Sequence, residues 1–234
     1  MGRAAYRHLM REAVTTFRLA RMDAAEVVAR TRVEGLEALE RALAAGRGAL
    51  VVTGHLGNWE IGGAALSARG LPVDVVAHRQ KNPLFDAALV RSRARLGLRV
   101  IVKNDAFREG LAALREGRVL ALVADQNVRR RGVFVDFFGR PASTAKGAGL
   151  FALRTGAPIF LGVSLREPGI PARYRVVLES VPVTRGAGLD EDVRRVTAHF
   201  TAALERWIRQ APEQYFWHHR RWKTRPADES GDGE

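Results

Sequence analysis

The feature that most constrains this chain is its regular alternation of short apolar runs with longer amphipathic stretches. Residues 49–53, 72–77, 99–102, 119–124, 134–138, 159–166 and 174–178 have the length and β-branched content of strands. Residues 61–68, 83–96, 106–115, 146–154 and 191–210 read as helices between or after them, and Gly139-Arg140-Pro141 reads as a turn. Strands joined through helices need crossover connections, which produce parallel pairing with helices laid on the sheet faces. The expected fold class is therefore α/β, a mainly parallel central sheet flanked by helices. At 234 residues a single core is the natural solution. In such sheets functional residues gather beyond the carboxyl ends of the strands. His55 and Asp125 both stand there.

Two segments precede this alternation. Residues 1–22 form a basic amphipathic helix, with Tyr6, Leu9, Met10, Ala13, Phe17 and Ala20 on one face and Arg3, Arg7, Arg11, Arg18 and Arg21 elsewhere. Such a helix suits either a membrane interface or a core with a solvated back. Residues 23–45 read as one further helix ended by Gly46, and the main domain is expected over 23–226. The acidic tail, 227–234, is expected to be disordered.

Charge and composition narrow the chemistry. The formal net charge is +13, although Asp228, Glu229, Asp232 and Glu234 make the tail acidic, so an acidic partner is implied: nucleic acid, anionic membrane, phosphorylated substrate or acidic carrier protein. An arginine-rich solvated surface is the plain alternative. There is no cysteine, so thiolate nucleophiles, disulfides and Cys-based zinc sites are excluded. No run approaches the roughly 18 apolar residues of a membrane span, and no secretory signal is apparent.

The chemistry-bearing motif is Thr53-Gly54-His55-Leu56-Gly57-Asn58-Trp59-Glu60. His55 and Glu60 would point about 140° apart on a continuous helix. They can meet only if the histidine lies in the turn before a helix and the glutamate in its first turns. A histidine oriented by a carboxylate is a general base suited to neutral pH. The alternative is that His55 caps the helix while Glu60 pairs with a nearby arginine. Both readings are open on spacing alone.

Residues 54–60 resemble the His-x4-Asp/Glu motif of the lysophospholipid acyltransferase superfamily. The Gly-Asn-Trp-Glu version is similar to its lipid A biosynthesis branch, the lauroyl and myristoyl acyltransferases, whose fold is of the glycerolipid-acyltransferase type. The likeness continues through Arg79-Gln80-Lys81-Asn82-Pro83-Leu84, Asp125-Gln126-Asn127, the block 132–139 and the block 214–226, which ends in His218-His219-Arg220-Arg221-Trp222-Lys223-Thr224-Arg225-Pro226. What the resemblance implies is transfer of a fatty acyl group from an acyl carrier protein thioester to a hydroxyl of a lipid A precursor, without a further cofactor. His55 would be the base and Glu60 its orienting partner. Asn58, Arg79, Arg93, Asp125 and Gln126 are expected to bind substrate, with Asp125 placed to hold an arginine. His219, Arg220, Arg221, Lys223 and Arg225 would receive the anionic phosphorylated glycolipid.

The implied partners are acyl carrier protein, that glycolipid and the inner-membrane surface, and the implied location is the cytoplasmic face of the bacterial inner membrane. Members of this branch usually begin with an apolar anchor, whereas this sequence begins with arginine-rich residues, so attachment is expected through the basic segment unless an anchor is missing. No metal is expected, because no acidic third ligand accompanies the paired histidines at a metal-site spacing. A glycerophospholipid or phosphatidylinositol mannoside type of acceptor is the alternative within enzymes. A nucleic-acid-binding module is the remote one, and no nucleic-acid partner is expected.

Overall fold

A computed structural model describes residues 2–226, and the tail expected over 227–234 lies outside them. The elements in chain order are α1 (Gly2–Leu19), α2 (Ala24–Arg30), β1 (Thr31–Glu34), α3 (Leu36–Ala44), β2 (Ala49–Thr53), α4 (Trp59–Ser67), β3 (Val73–Ala77), α5 (Pro83–Arg95), β4 (Arg99–Val102), α6 (Ala106–Arg115), β5 (Val119–Val123), β6 (Val133–Phe137), β7 (Arg140–Thr144), α7 (Gly147–Thr155), β8 (Ile159–Arg166), β9 (Tyr174–Val181) and α8 (Leu189–Gln210). Seven strands form one sheet in the order β1-β9-β8-β2-β5-β3-β4, and β6 and β7 form a separate hairpin. Every pairing in the large sheet is parallel except β8 with β9. The chain is thus a single-domain α/β protein with a mostly parallel sheet.

Strand β2 is central and buried on both sides, which is why it reads as a continuous apolar run. Its side chains alternate: Leu50 and Val52 pack with Phe151, Phe200 and Leu204 under α7 and α8. Ala49 and Val51 face Leu39 and Leu66 of α3 and α4. A third cluster, including Leu19, Met22, Val27 and Ile61, fastens the α1–α2 corner onto α4. The first helix is therefore packed into the protein along one side and open along the other. Among the described residues no helix is long and apolar enough to cross a membrane.

Two expectations need correction. The helix expected over 23–45 is broken by β1, because Thr31 and Val33 are β-branched and find an open edge beside β9, with Thr31 opposite Tyr174. Gly35 allows the chain to leave that strand and start α3: its φ is 79°, and a Cβ there would sit 2.2 Å from the Leu178 carbonyl oxygen. The Gly139-Arg140-Pro141 turn is likewise the start of β7. The reversal itself lies one residue earlier, at Phe138 and Gly139, with φ of 56° and 74°. Pro141 is tolerated since this two-stranded hairpin leaves each strand an unpaired side.

Gly35→Ala combines a left-handed backbone with a contact against a main-chain oxygen that cannot rotate away. We expect a loss of about 2 kcal/mol or more, a melting point lower by roughly 4–8 °C. Thermal denaturation followed by circular dichroism checks this. An unchanged midpoint would show that β1 can shift away from β9.

Candidate active site

Parallel pairing of β2 with β5, in register from Ala49↔Val119 to Thr53↔Val123, brings the carboxyl ends of these two strands side by side. The residues just beyond them meet. One Asp125 carboxylate takes two hydrogen bonds from His55: the backbone N–H donates to Oδ2 at 2.7 Å, and ring Nδ1 lies 2.6 Å from Oδ1. Gly54 makes room for this clamp, since a Cβ at that position would be 2.5 Å from Leu204 Cδ2 and 3.0 Å from Asp125 Oδ2.

The turn is pinned from other directions as well. Gly57, with φ of 64°, donates its N–H to the Gln214 carbonyl at 2.9 Å, and its missing Cβ would fall 1.9 Å from the Ser164 oxygen. That same Ser164 oxygen accepts the Asn58 N–H at 2.9 Å, while Phe216 donates its N–H to the His55 carbonyl at 2.9 Å. Three segments distant in sequence therefore hold the main chain around the histidine.

Asp125 is 4% exposed. Burial pushes its pKa up, but the hydrogen bonds and charge of His55, with the charge of Arg221, outweigh this and hold it below the usual carboxylate value. An anionic carboxylate can only accept, so Nδ1 carries the proton and the lone pair lies on Nε2. Nε2 faces the side-chain amide of Gln126, with Nε2 to Nε2 at 3.4 Å, and the ring stands edge-on to Trp59 at 4.5 Å between centroids. A cavity of about 190 Å³ opens beside the imidazole, bounded by Trp59, Phe216, Phe85 and the α1 residues Leu9 and Phe17. The arrangement can take a proton from a group that enters this apolar groove.

Glu60 does not orient the histidine. It lies in the first turn of α4, and its carboxylate is gripped by Arg93 of α5, with Nε donating to Oε2 at 3.0 Å and Nη2 to Oε1 at 2.5 Å. Burial lowers the pKa of Arg93, but the hydrogen bonds and charge of Glu60 and the charge of Asp86 raise it further. The expected partners are exchanged: Asp125 holds the histidine and Glu60 holds the arginine. The physical reason is that strand order places β5, not the start of α4, against the Nδ1 edge. The Glu60–Arg93 pair instead borders a second, largely apolar cavity of about 90 Å³ between α4 and the sheet. Gly62, Gly63 and Gly162 leave that space open, and Trp59 lines both cavities.

A family model described as bacterial lipid A biosynthesis acyltransferase matches residues 1–224. The chain belongs to this family. It is 32% identical over 202 residues to the lipid A biosynthesis palmitoleoyltransferase of Escherichia coli (strain K12), an overlap covering 85% of this chain and 63% of that protein. It is 30% identical over 198 residues to the lauroyltransferase of the same organism, covering 84% and 63%. The phosphatidylinositol mannoside acyltransferase of Mycolicibacterium smegmatis is 34% identical over 161 residues, covering 67% of this chain and 52% of that protein. The chain spans less than two thirds of the length of these relatives.

The remaining expected residues of this chain divide into three groups. Gln126 is in the site. Arg79 is exposed, next to His78, whose Nε2 lies 2.8 Å from Lys103 Nζ at the ends of β3 and β4. Arg220, Lys223 and Arg225 are exposed and carry no ion pair among the described residues. Three others are structural, contrary to expectation. Asn58 is buried, caps α4 by accepting the Ile61 N–H at 3.1 Å, and donates its amide to Glu12 at 2.8 Å. His219 Nε2 accepts the Asn127 N–H at 2.8 Å, and burial lowers its pKa, so it is a neutral packing residue. Arg221, 2% exposed, donates to the Ser143 carbonyl at 2.8 Å and to Thr144 Oγ1, and its guanidinium lies over Phe137. It ties the C-terminal segment to the β6–β7 hairpin. Among the described residues no group of three or more His, Asp or Glu is placed to hold a metal ion.

Glu12 was concealed in the sequence by its arginine-rich surroundings. It is 6% exposed; Oε2 accepts from Asn58 and from Tyr174 Oη at 2.7 Å, and Oε1 accepts from Arg166 Nη1 at 3.1 Å. Burial pushes the Tyr174 hydroxyl up to about 12, so it remains a donor. This cluster joins α1 to the residue that caps the helix after the histidine.

Two outcomes follow. Asp125→Asn preserves volume but lets an amide N–H face Nδ1, which favours the tautomer lacking a lone pair on Nε2. The acyl transfer proposed below should fall on the order of 10³-fold or more with the fold intact; a loss of less than about tenfold would remove Asp125 from the site. Glu12→Gln sets an amide N–H against donors, and a melting point lower by roughly 4–8 °C is expected, for about 2 kcal/mol. Calorimetry of the two proteins reads it, and an unaltered transition would mean α1 is not fastened there.

Proposed function

We propose that this chain transfers a fatty acyl group from an acyl carrier protein thioester to a hydroxyl of a lipid A-type glycolipid, working peripherally at the cytoplasmic face of the inner membrane. The observation that carries the reading is the His55 imidazole, fixed through Nδ1 by Asp125 and bordering an apolar groove. The acceptor hydroxyl gives its proton to Nε2 as its oxygen bonds to the thioester carbonyl carbon. Collapse of the tetrahedral oxyanion breaks the carbon–sulfur bond, and the departing thiolate takes the proton back from the imidazolium. A thioester is already activated, so positioning, proton transfer and oxyanion stabilisation are sufficient. No acyl-enzyme forms.

Membership of the acyltransferase family supports the acyl group as cargo, and the cavity between α4 and the sheet has the apolar lining a hydrocarbon chain needs. Arg93, held by Glu60, keeps further N–H groups for a phosphate or the developing oxyanion. Arg79, Arg220, Lys223 and Arg225 supply exposed cations for an anionic acceptor. The similarity to a phosphatidylinositol mannoside acyltransferase favours one second reading, a mannosylated phospholipid acceptor with the same chemistry.

The test is transfer in detergent from acyl carrier protein thioester to purified acceptors, read by the mass of the product. We expect mass gain on a lipid A precursor, loss of turnover on the order of 10³-fold or more in His55→Ala, and a loss of at least about tenfold in Glu60→Gln through release of Arg93. Full turnover in His55→Ala would remove the base. Gain on a phosphatidylinositol mannoside alone would select the second acceptor.

A further inference from the structure

Helix α1 is a ridge with a different groove on each flank. At about 100° per residue, its inward residues Ala5, Glu12, Thr15 and Leu19 are buried against the protein. On one flank Leu9, Ala13 and Phe17 line the cavity beside His55. On the other, roughly opposite, Arg11, Val14 and Arg18 line a separate open groove of about 670 Å³. Its far wall is the β8–β9 connection at Ile170 and Pro171, and its end is closed by Arg21 and Met22. Between the two grooves the crest carries Tyr6, Met10, Val14 and Phe17, each about half exposed or more.

The second groove is rich in uncompensated positive charge. Arg30 is paired with Glu26 at 2.6 Å and Arg166 with Glu12, but none of Arg11, Arg18 and Arg21 has an ion-pair partner among the described residues. Apolar side chains border these cations: Met10 and Val14 on the crest, and Ile170, 98% exposed, at the tip of the opposite wall. An isolated phosphate would use the arginines and gain nothing from that rim. A nucleic acid backbone would likewise find exposed aliphatic groups where it needs polar ones. A phosphate joined to hydrocarbon uses both, with the headgroup among the guanidinium groups and the acyl region against Met10, Val14 and Ile170.

We propose that this groove binds the phosphate headgroup of an anionic bilayer phospholipid, seating the crest of α1 and the Ile170 loop in the interface. The bound lipid is a docking ligand and not a substrate, since the groove lies across the helix from His55. Docking on the crest would leave the catalytic groove opening along the same surface, where lipid substrates can enter laterally. The proposal does not depend on the transfer chemistry, and its test requires no turnover.

The test is flotation of the full chain with vesicles of phosphatidylcholine alone and of phosphatidylcholine mixed with phosphatidylglycerol. We expect binding to the mixed vesicles and little to the neutral ones. Arg11→Gln with Arg18→Gln should weaken partition roughly 25-fold, at about fivefold for each arginine near an anionic surface. The charge-matched pair Arg41→Gln with Arg47→Gln, exposed at the end of α3 and away from the seated helix, should cost no more than about fivefold. Ile170→Ser, at an exposed loop tip and without change of charge, should weaken binding while leaving the melting point unchanged. Equal losses in the two arginine pairs would reduce the groove to diffuse attraction and overturn the proposal. So would equal binding to neutral vesicles, full displacement by inorganic phosphate, or exclusive binding to RNA.

Discussion

The candidate site depends on one carboxylate that grips one residue twice. Asp125 accepts both the main-chain N–H and the ring Nδ1 of His55, so it sets the position of the backbone and the tautomer of the ring together. Neither bond would form without adjacent, parallel β2 and β5, and neither would fit if residue 54 carried a side chain. Burial alone would neutralise this aspartate; the charge and hydrogen bonds of His55 keep it ionised. The fold, the glycine and the protonation state are consequences of the same contact.

A second set of bonds extends that order outward. The C-terminal segment reaches back to donate from Phe216 to the His55 carbonyl and to accept from Gly57 at Gln214. Arg221 and His219 then fasten this segment to the hairpin and to Asn127. Glu12 does the same from the other end of the chain, through the Asn58 cap. A histidine in a turn would ordinarily be mobile. Here the ends of the chain and the middle of the sheet converge on four residues, so the base is preorganised before any substrate arrives.

What was legible in the sequence is what short-range spacing determines. Strands β2, β3, β4, β5 and β8 are apolar runs with distinct edges, and the place of His55 in a turn before α4 follows from its glycines. What was not legible depends on strand order and on burial. His55 and Asp125 are 70 residues apart and meet only because β5, and not β3, lies beside β2. Glu60, five residues away, was the nearer carboxylate in sequence and found its partner 33 residues on. Asn58, His219 and Arg221 have side chains that suit substrate binding, yet each makes internal hydrogen bonds that fasten one segment to another. Sequence gives a polar residue its chemistry but not its free valences. The short strand β1 was hidden because four residues carry too little periodicity to interrupt a helical reading.

The exchange of partners between His55, Asp125, Glu60 and Arg93 is the arrangement that leaves no buried charge alone. Were Glu60 to bind the histidine, Arg93, mostly shielded from water, would lose both of its charge-assisted bonds. Asp125, almost wholly buried, would be left with the distant charge of Arg221. An unpaired buried ion costs several kcal/mol, so the alternative pairing would be penalised at both sites. The observed pairs also separate two tasks. Asp125 fixes the base through a contact shut off from solvent, while Glu60 fixes a cation at the mouth of an apolar cavity. A single carboxylate serving both would tie the position of the base to whatever bound the arginine; with two, ligands can load the cation without moving the imidazole.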